Sequence, residues 1–337
     1  MTCIFAKDNK INMDLIINTF GTSLNRDNEG FVVKTKDGKK KVPLQHIRSI
    51  QLHKGTLITS DAVLLAIENE IEVLFVDKSG FPLARLWSPQ YGSVSTIRKG
   101  QLVFTQTHDS IDWIKDIIIC KIENQQALIL SFNTSDTSNM VHKEIERLDK
   151  YIEKIKQLDG EQLRDIIPFL RGFEGSASKI YFKAMNNFIP ITYRFEERSQ
   201  HPATDITNAL LNYGYGILYG KIEGALIEAG IDPYIGIMHS DSYRRPSLAF
   251  DVIEKYRVWI DYIVYSLLRQ DFVTDDMYTV DSTGAVWIEG LAKRILIQSI
   301  NDYFEEVITI KGLSRSRNTH IQLFAQSIAQ IFKKYNQ

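Results

Sequence analysis

The sequence lacks most of the features that would place it at sight. It has two cysteines in 337 residues, Cys3 and Cys120, neither near a metal-type spacing. A disulfide framework and a zinc knuckle are therefore excluded as organising principles, and a reducing cytoplasmic setting is expected. Net charge is almost absent, with 40 Lys and Arg against 41 Asp and Glu. No overall basicity draws this chain to a phosphate backbone, so any nucleic-acid contact must use local patches. No uncharged apolar run reaches the ~18 residues of a membrane span. Lys7, Asp8 and Lys10 fall where a signal peptide needs an unbroken apolar core. Repeats, heptads and low-complexity tracts are missing as well. What is present, 44 % apolar and 24 % charged residues, suits a globular chain with a real core and room for two or three domains.

The first ninety or so residues read as β-structure. Short runs rich in β-formers, DLIINTF, GFVVKTK, IRSIQLH, IEVLFVD and PLARLW, alternate with turn residues. Asp37-Gly38 between two such runs predicts a two-residue hairpin turn. Lys34, Lys36, Lys39, Lys40 and Lys41 flank it, either to blunt an edge strand or to contact phosphate. One helix, capped by Ser60 or Asp61, interrupts the strands through AVLLAIENE. After Ser88–Ser93 the apolar spacing becomes helical, with helices expected over 98–131, 140–157, 160–187, 205–229, 246–270, 286–310 and 318–335. The expected fold is α+β and multidomain. A small β-domain covers residues 1–87, a linker 88–97, and a larger all-α catalytic domain 98–337.

Chemistry is suggested by charges placed where helices should be apolar. Glu174 falls within the stripe Leu170, Phe173, Ala177, Ile180, Tyr181 and Ala184, and a carboxylate facing a core must be paired, protonated or bound to a cation. Gly172 and Gly175 beside it suggest close approach by another backbone or a ligand. His239 follows a helix end at Gly230–Pro233, and Pro246 then starts a helix on which Asp251 and Glu254 stand three apart on one face. Such a pair repels unless a cation or shared proton relieves it. Glutamates, an imidazole and an aspartate make a mixed oxygen and nitrogen donor set suited to Mg²⁺ or Mn²⁺, and a hard cation with open positions suits phosphoryl transfer. Arg171, Lys179, Arg244, Arg245 and Arg257 offer counter-charge for a DNA backbone, or local ion pairs. Tyr213, Tyr215 and Tyr219 could stack on unpaired bases, although helical spacing reads more simply as core.

In this order and spacing, LIINTFGTSL, VPLQHIRSIQLHKGTLITSDAVLLAIENEIEVLFVDKSG, RGFEGSASKIYF, NALLNYGYGILYGKIEGALIEAGIDPYIGIMH and SLAFDVIEKYR resemble the CRISPR-associated adaptation integrase ("Cas one") family over nearly the whole chain. The resemblance implies a metal centre of Glu174, His239 and Glu254, with Asp251 in support. It also implies a homodimer formed through the β-domain, a small ferredoxin-like partner dimer ("Cas two"), and double-stranded DNA fragments as substrate. The implied reaction joins each 3′-hydroxyl to a CRISPR repeat by transesterification. The alternatives are a non-catalytic DNA-binding scaffold and a general metal-dependent nuclease on branched DNA.

Overall fold

Short runs rich in β-formers produce two four-stranded sheets in the N-terminal part of the chain. A computed structural model describes residues 13–44, 47–69, 71–77, 82–86, 95–134, 138–200, 202–239 and 245–336. The chain divides into two compact units, Met1–Gln90 and Tyr91–Gln337. In the first, β1 (Met13–Ile17), β5 (Ile47–His53), β7 (Glu72–Val76) and β8 (Pro82–Arg85) form a sheet in that order. Its first three strands are parallel, and β8 runs antiparallel to β7. The second sheet has the order β4 (Gly38–Pro43), β3 (Gly30–Thr35), β2 (Ser23–Arg26), β6 (Leu57–Ile58). Helix α1 (Ser60–Glu68) joins both through one core, in which Leu24 and Phe31 meet Ile50, Leu52 and Val73 with Ala62, Leu65 and Ala66. Each such fully buried aliphatic or aromatic side chain contributes about 1.5–3 kcal/mol.

Two local expectations shift by one residue. The cap of α1 is Thr59, whose hydroxyl accepts from the Ala62 amide, rather than Ser60 or Asp61. The β3–β4 hairpin forms, but Thr35 pairs with Gly38 and the loop is Lys36-Asp37, with the positive φ on Gly38 alone. Strand β4 lies at the edge of its sheet and carries three consecutive exposed lysines, of which Lys41 pairs with Asp27 at 3.4 Å and Glu29 at 2.8 Å.

The second unit is predominantly helical. Its helices are α2 (Ser95–Phe104), α3 (His108–Phe132), α4 (Ser138–Lys156), α5 (Leu163–Met185), α6 (Ile206–Glu228), α7 (Ser247–Ile253), α8 (Arg257–Arg269), α9 (Gly290–Glu305) and α10 (Arg317–Lys334). The expected linker at 88–97 lies outside the described residues up to 94, and Ser95–Ile97 already belong to α2. Helix α6 is buried nearly all round, and α7, α8, α9 and α10 all pack on it.

Three expected helices are revised. The segment 98–131 is broken at Thr105–Thr107 into α2 and α3. The segment 246–270 is broken at Glu254–Tyr256, where Lys255 and Tyr256 bond back to Val252 and Ile253 in a tightened turn. The segment 286–310 is helical only over α9. Its ends are strands of two hairpins, β9 (Tyr278–Val280) with β10 (Val286–Ile288), and β11 (Val307–Ile310) with β12 (Leu313–Ser316). Lys311-Gly312 closes the second hairpin with φ of 49° and 79°, the double positive φ of a type I′ turn. The larger unit is thus helical with two small hairpins added.

Helix α2 reaches α10 so closely that a Cβ at Gly100 would run into the Phe332 carbonyl oxygen. Phe104 meanwhile packs its ring 5.2 Å from that of Phe332. Gly100→Ala is therefore expected to destabilise by about 1–3 kcal/mol, because the obstacle is backbone. Thermal unfolding checks this, and an unchanged midpoint would show that α2 can shift to make room.

Candidate metal centre

Three elements of the helical unit meet at one ammonium group. Helix α3 packs against α5, α7 and α8. Its buried stripe runs Ile114, Ile117, Ile118, Lys121, Ile122, Gln125, so it delivers Lys121 into the interface with α5 and the α7–α8 turn. The Lys121 side chain is 7 % exposed, and its Nζ lies 2.6 Å from Glu254 Oε2 and against Glu174 Oε1. Ser178, one turn along α5, donates to the same Glu174 oxygen at 2.8 Å. Arg257 Nε donates to Glu254 Oε1 at 2.9 Å, and its guanidinium lies over the Tyr215 ring at 4.8 Å. Glu254 ends α7 with helical dihedrals, and the turn after it, with φ −114° at Tyr256, leads into Arg257. Asn124, on the next turn of α3 from Lys121, donates to the Lys255 carbonyl at 3.0 Å and so satisfies a backbone oxygen in the turn.

Mutual compensation sets the electrostatics. Burial pushes the Glu254 pKa up, but Arg257 and Lys121 outweigh burial and hold it at about 2. Burial alone would lower the Lys121 pKa, and the Glu254 and Glu174 carboxylates reverse this and raise it. Lys121 is a functional candidate absent from the expectations above. The signal that marked Glu174, a charge at a core phase of a helix, marks Lys121 equally.

Asp251 occupies a different environment. It is fully buried, and its Oδ2 accepts from the amides of Ile237 at 2.6 Å and Met238 at 3.2 Å. Its Oδ1 accepts from the His239 amide at 3.0 Å and lies 2.7 Å from His239 Nδ1. An acceptor-only carboxylate makes Nδ1 the donor, which in the neutral ring leaves Nε2 with the lone pair. The spacing of Asp251 and Glu254 calls for a cation or a shared proton between them. Instead each has its own partners, Asp251 the loop amides and Glu254 the side chains of Lys121 and Arg257.

The loop that carries His239 is held from several sides. Gln101 on α2 donates to the carbonyls of Asp232 at 2.7 Å and Ile235 at 3.1 Å, and accepts from the Asp232 amide at 3.0 Å. Arg171 on α5 donates to the Met238 carbonyl. A Cβ at Gly236 would come 2.5 Å from both the His239 carbonyl oxygen and Ser247 Cβ, so this glycine meets a close approach. Gly172 and Gly175 do not. A Cβ at either would meet nothing within 4 Å, which overturns the expectation that a backbone approaches there.

The basic residues fall into separate groups. Arg257 is tied inside the cluster and Arg171 to the loop. Lys179 is exposed on α5, while Arg245 is exposed with its guanidinium 4.7 Å over the Phe250 ring. Arg244 lies outside the described residues. Tyr213, Tyr215 and Tyr219 are all buried, and Tyr215 donates to Asp261 alongside Tyr181. They belong to the core and not to a base-stacking surface.

Donor chemistry here suits a hard divalent cation. Glu254 Oε2 is buried without a well-directed hydrogen bond, although Lys121 Nζ is within ion-pairing distance. Glu174 faces it across that ammonium, and His239 keeps Nε2. No three His, Cys, Asp or Glu side chains among the described residues stand at metal-binding separations. Lys121 supplies the positive charge between the two glutamates.

Residues 15–302 match the family described as CRISPR associated protein Cas1. The chain belongs to the Cas1 family. Among its relatives, a CRISPR-associated endonuclease Cas1 of Archaeoglobus fulgidus is 29 % identical, over 95 % of this chain and 96 % of its own length. A Cas1 endonuclease of Francisella tularensis subsp. novicida is 31 % identical over 76 % of this chain and 79 % of its own. In fold, the chain is similar to a CAS1 protein from Thermotoga maritima, with a TM-score of 0.80 at 16 % identity over 95 % and 96 % of the two chains. A casposase bound to its integration product gives a TM-score of 0.81 at 18 % identity over 95 % of this chain and 90 % of that one. No helix among the described residues of this Cas1-family chain is long and apolar enough to cross a membrane.

A pH dependence follows from Glu254. Its folded-state pKa, about 2, lies below the ordinary 4.5. The stabilisation is therefore complete above about pH 5 and is lost as the pH falls through 4.5 toward 2. The lost amount is on the order of 3 kcal/mol. Thermal midpoints measured across this range in chelator should fall more steeply for the parent chain than for Glu254→Gln. Equal slopes would remove Glu254 from the account.

Proposed function

We propose that this Cas1-family chain joins the 3′-hydroxyl ends of captured DNA fragments to a CRISPR repeat by direct transesterification. In this reading Glu174, Glu254 and His239, through Nε2, hold Mg²⁺ or Mn²⁺. The observation that carries it is the pairing of two carboxylates across one buried cation position, with His239 near enough to act electrostatically on Glu254 and its Nδ1 held by Asp251. A carboxylate behind a ligating histidine orients the ring and raises its basicity. That supports Asp251 as the supporting acid and Glu254 as the direct ligand. Bound there, a hard divalent cation supplies Lewis acidity at a phosphoryl oxygen and lowers the pKa of a bound hydroxyl.

The remaining roles belong to the chain. In the metal-free protein Arg257 and Lys121 keep Glu254 ionised. Arg171 and Gln101 hold the loop that presents His239. Exposed Lys179 and Arg245 offer counter-charge to a DNA backbone, together with Arg244. No covalent protein–DNA intermediate is needed, consistent with the burial of Tyr213, Tyr215 and Tyr219. Homodimerisation through the β-domain and assembly with a small "Cas two" partner dimer belong to the same reading. A similar fold, with a TM-score of 0.81 over 98 % of this chain, occurs in a Cas6-RT-Cas1–Cas2 complex. Water in place of the 3′-hydroxyl would give nuclease activity on branched DNA.

The test is integration of a DNA fragment into supercoiled plasmid carrying a repeat, with and without the small partner, in Mn²⁺. Glu174→Gln, His239→Ala and Glu254→Gln are expected to abolish joining. Glutamine suits the acids better than alanine, because it keeps the volume and an oxygen that can accept from Arg257, whereas bare removal of Glu254 would leave that guanidinium without its carboxylate at a cost of about 3–5 kcal/mol. Asp251→Asn is expected to lower joining about 10–100-fold, the usual range for a group behind a metal ligand. Full joining by the first three variants would defeat the assignment, and a larger loss from Asp251→Asn than from Glu254→Gln would reverse the ranking of the acids.

The hairpin lysines need a separate measurement. Since Lys41 is already paired with two acids, the informative change is Lys34, Lys39 and Lys40 together to alanine. If they contact phosphate, the salt dependence of DNA binding weakens by about one in slope per lost contact. Unchanged affinity and slope would leave them the role of blunting the β4 edge.

A further inference from the structure

The cation now held by the Glu174 and Glu254 carboxylates is one of the chain's own. Lys121 Nζ lies between one oxygen of each, and Arg257 completes a cluster of two positive and two negative charges. Such a cluster is neutral and needs no further ion. A divalent cation taken up by the same two oxygens, with the ammonium left in place, would put like charges in contact inside a buried site. Interior charge pairs are poorly screened, so the two cations exclude one another.

We propose that Lys121 is a built-in placeholder cation. It holds the two carboxylates together in the metal-free protein and leaves them when a divalent cation binds, so metal affinity is set in part by competition with this side chain. The proposal rests on the metal reading given above. Several observations support it. Lys121 bridges groups from two separate elements, α5 and the α7–α8 turn, rather than pairing within one helix. Glu254 Oε2 lacks a well-directed hydrogen bond, as expected of an oxygen held by charge alone. Glu174 is 23 % exposed against 6 % for Glu254, so the solvent side of the cluster is at α5, and a lysine stem has the length and freedom to swing. Arg257 is not the mobile member, because it is hydrogen-bonded to Glu254 and lies over Tyr215.

Mn²⁺ titration by calorimetry on the chelator-treated full chain tests the idea, with thermal midpoints in chelator and in Mn²⁺ measured beside it. Lys121→Met is expected to bind Mn²⁺ at least about tenfold more tightly, equivalent to about 1.4 kcal/mol. Its midpoint should fall in chelator and rise with Mn²⁺ by more than that of the parent. Lys121→Arg should stay near the parent on both measures. A lysine with a structural role only would lower the midpoint and leave Mn²⁺ affinity unchanged, and that result overturns the proposal. Should Lys121→Met fail to fold, the parent chain still decides the matter. Saturating Mg²⁺ should move the Lys121 side-chain nitrogen resonance, assigned by its loss in Lys121→Arg, and an unmoved resonance overturns the proposal. Equal Mn²⁺ binding by parent and Lys121→Met defeats the placeholder alone, whereas no binding by either defeats the metal reading with it.

Discussion

A buried ion cluster ties the helical unit together at its functional end. Lys121, Glu174, Glu254 and Arg257 come from α3, α5, the α7–α8 turn and the start of α8, and none could be buried alone without a large desolvation cost. Each charge is tolerated because the other elements have docked. That requirement makes the arrangement cooperative, since α3 cannot shift along α5 without stranding an ammonium. The turn between α7 and α8 belongs to it as well: Glu254 keeps helical dihedrals at the end of α7, the backbone opens to a φ of −114° at Tyr256 just before Arg257, and the backbone oxygen at Lys255 is taken up by Asn124 from the same face of α3.

Environment separates the two acids of α7 more sharply than residue type does. Asp251 and Glu254 are three positions apart, yet one is spent on three backbone amides and an imidazole and the other on two side-chain cations. The first acts on loop geometry and the tautomer of His239. The second keeps an ionised oxygen in a low-dielectric setting, which is what a cation or a developing positive centre requires. Two carboxylates on one short helix can thus do different work because their surroundings place them in different electrostatic fields.

Much of this was legible in the residues. Runs rich in β-formers marked β1, β3, β5, β7 and β8, and helical spacing marked the larger unit. The core phase of Glu174 marked a carboxylate that had to be paired, protonated or bound to a cation. Where the reading failed, the cause was competition between signals. The run VITIKGLSRS has an apolar content that extends a helix, but its β-branched residues and the Lys311-Gly312 turn favour a hairpin. No glycine or proline marks the break at Glu254–Tyr256, so local propensity gives no sign of it. Lys121 was passed over because a lysine in an amphipathic helix usually faces water, and only its phase relative to Ile114, Ile118 and Ile122 argues otherwise. At Gly172 and Gly175 no backbone approaches, and the space beside both is open, since a glycine can border open space as readily as a close neighbour.

Helix α6, enclosed by four other helices and a strand, has a consequence for how the unit opens. Eighteen of its residues from Thr207 to Leu226 are buried, so it cannot fray outward while its neighbours stay in place. Amide protons along its middle can reach water only when several surrounding helices separate together. Hydrogen exchange there would report the global unfolding free energy of the unit, while the exposed β11–β12 hairpin reports only its own local opening. The helical unit therefore has a slow-exchanging axis with its candidate chemistry close beside it, the Arg257 guanidinium lying over Tyr215 of that same axis.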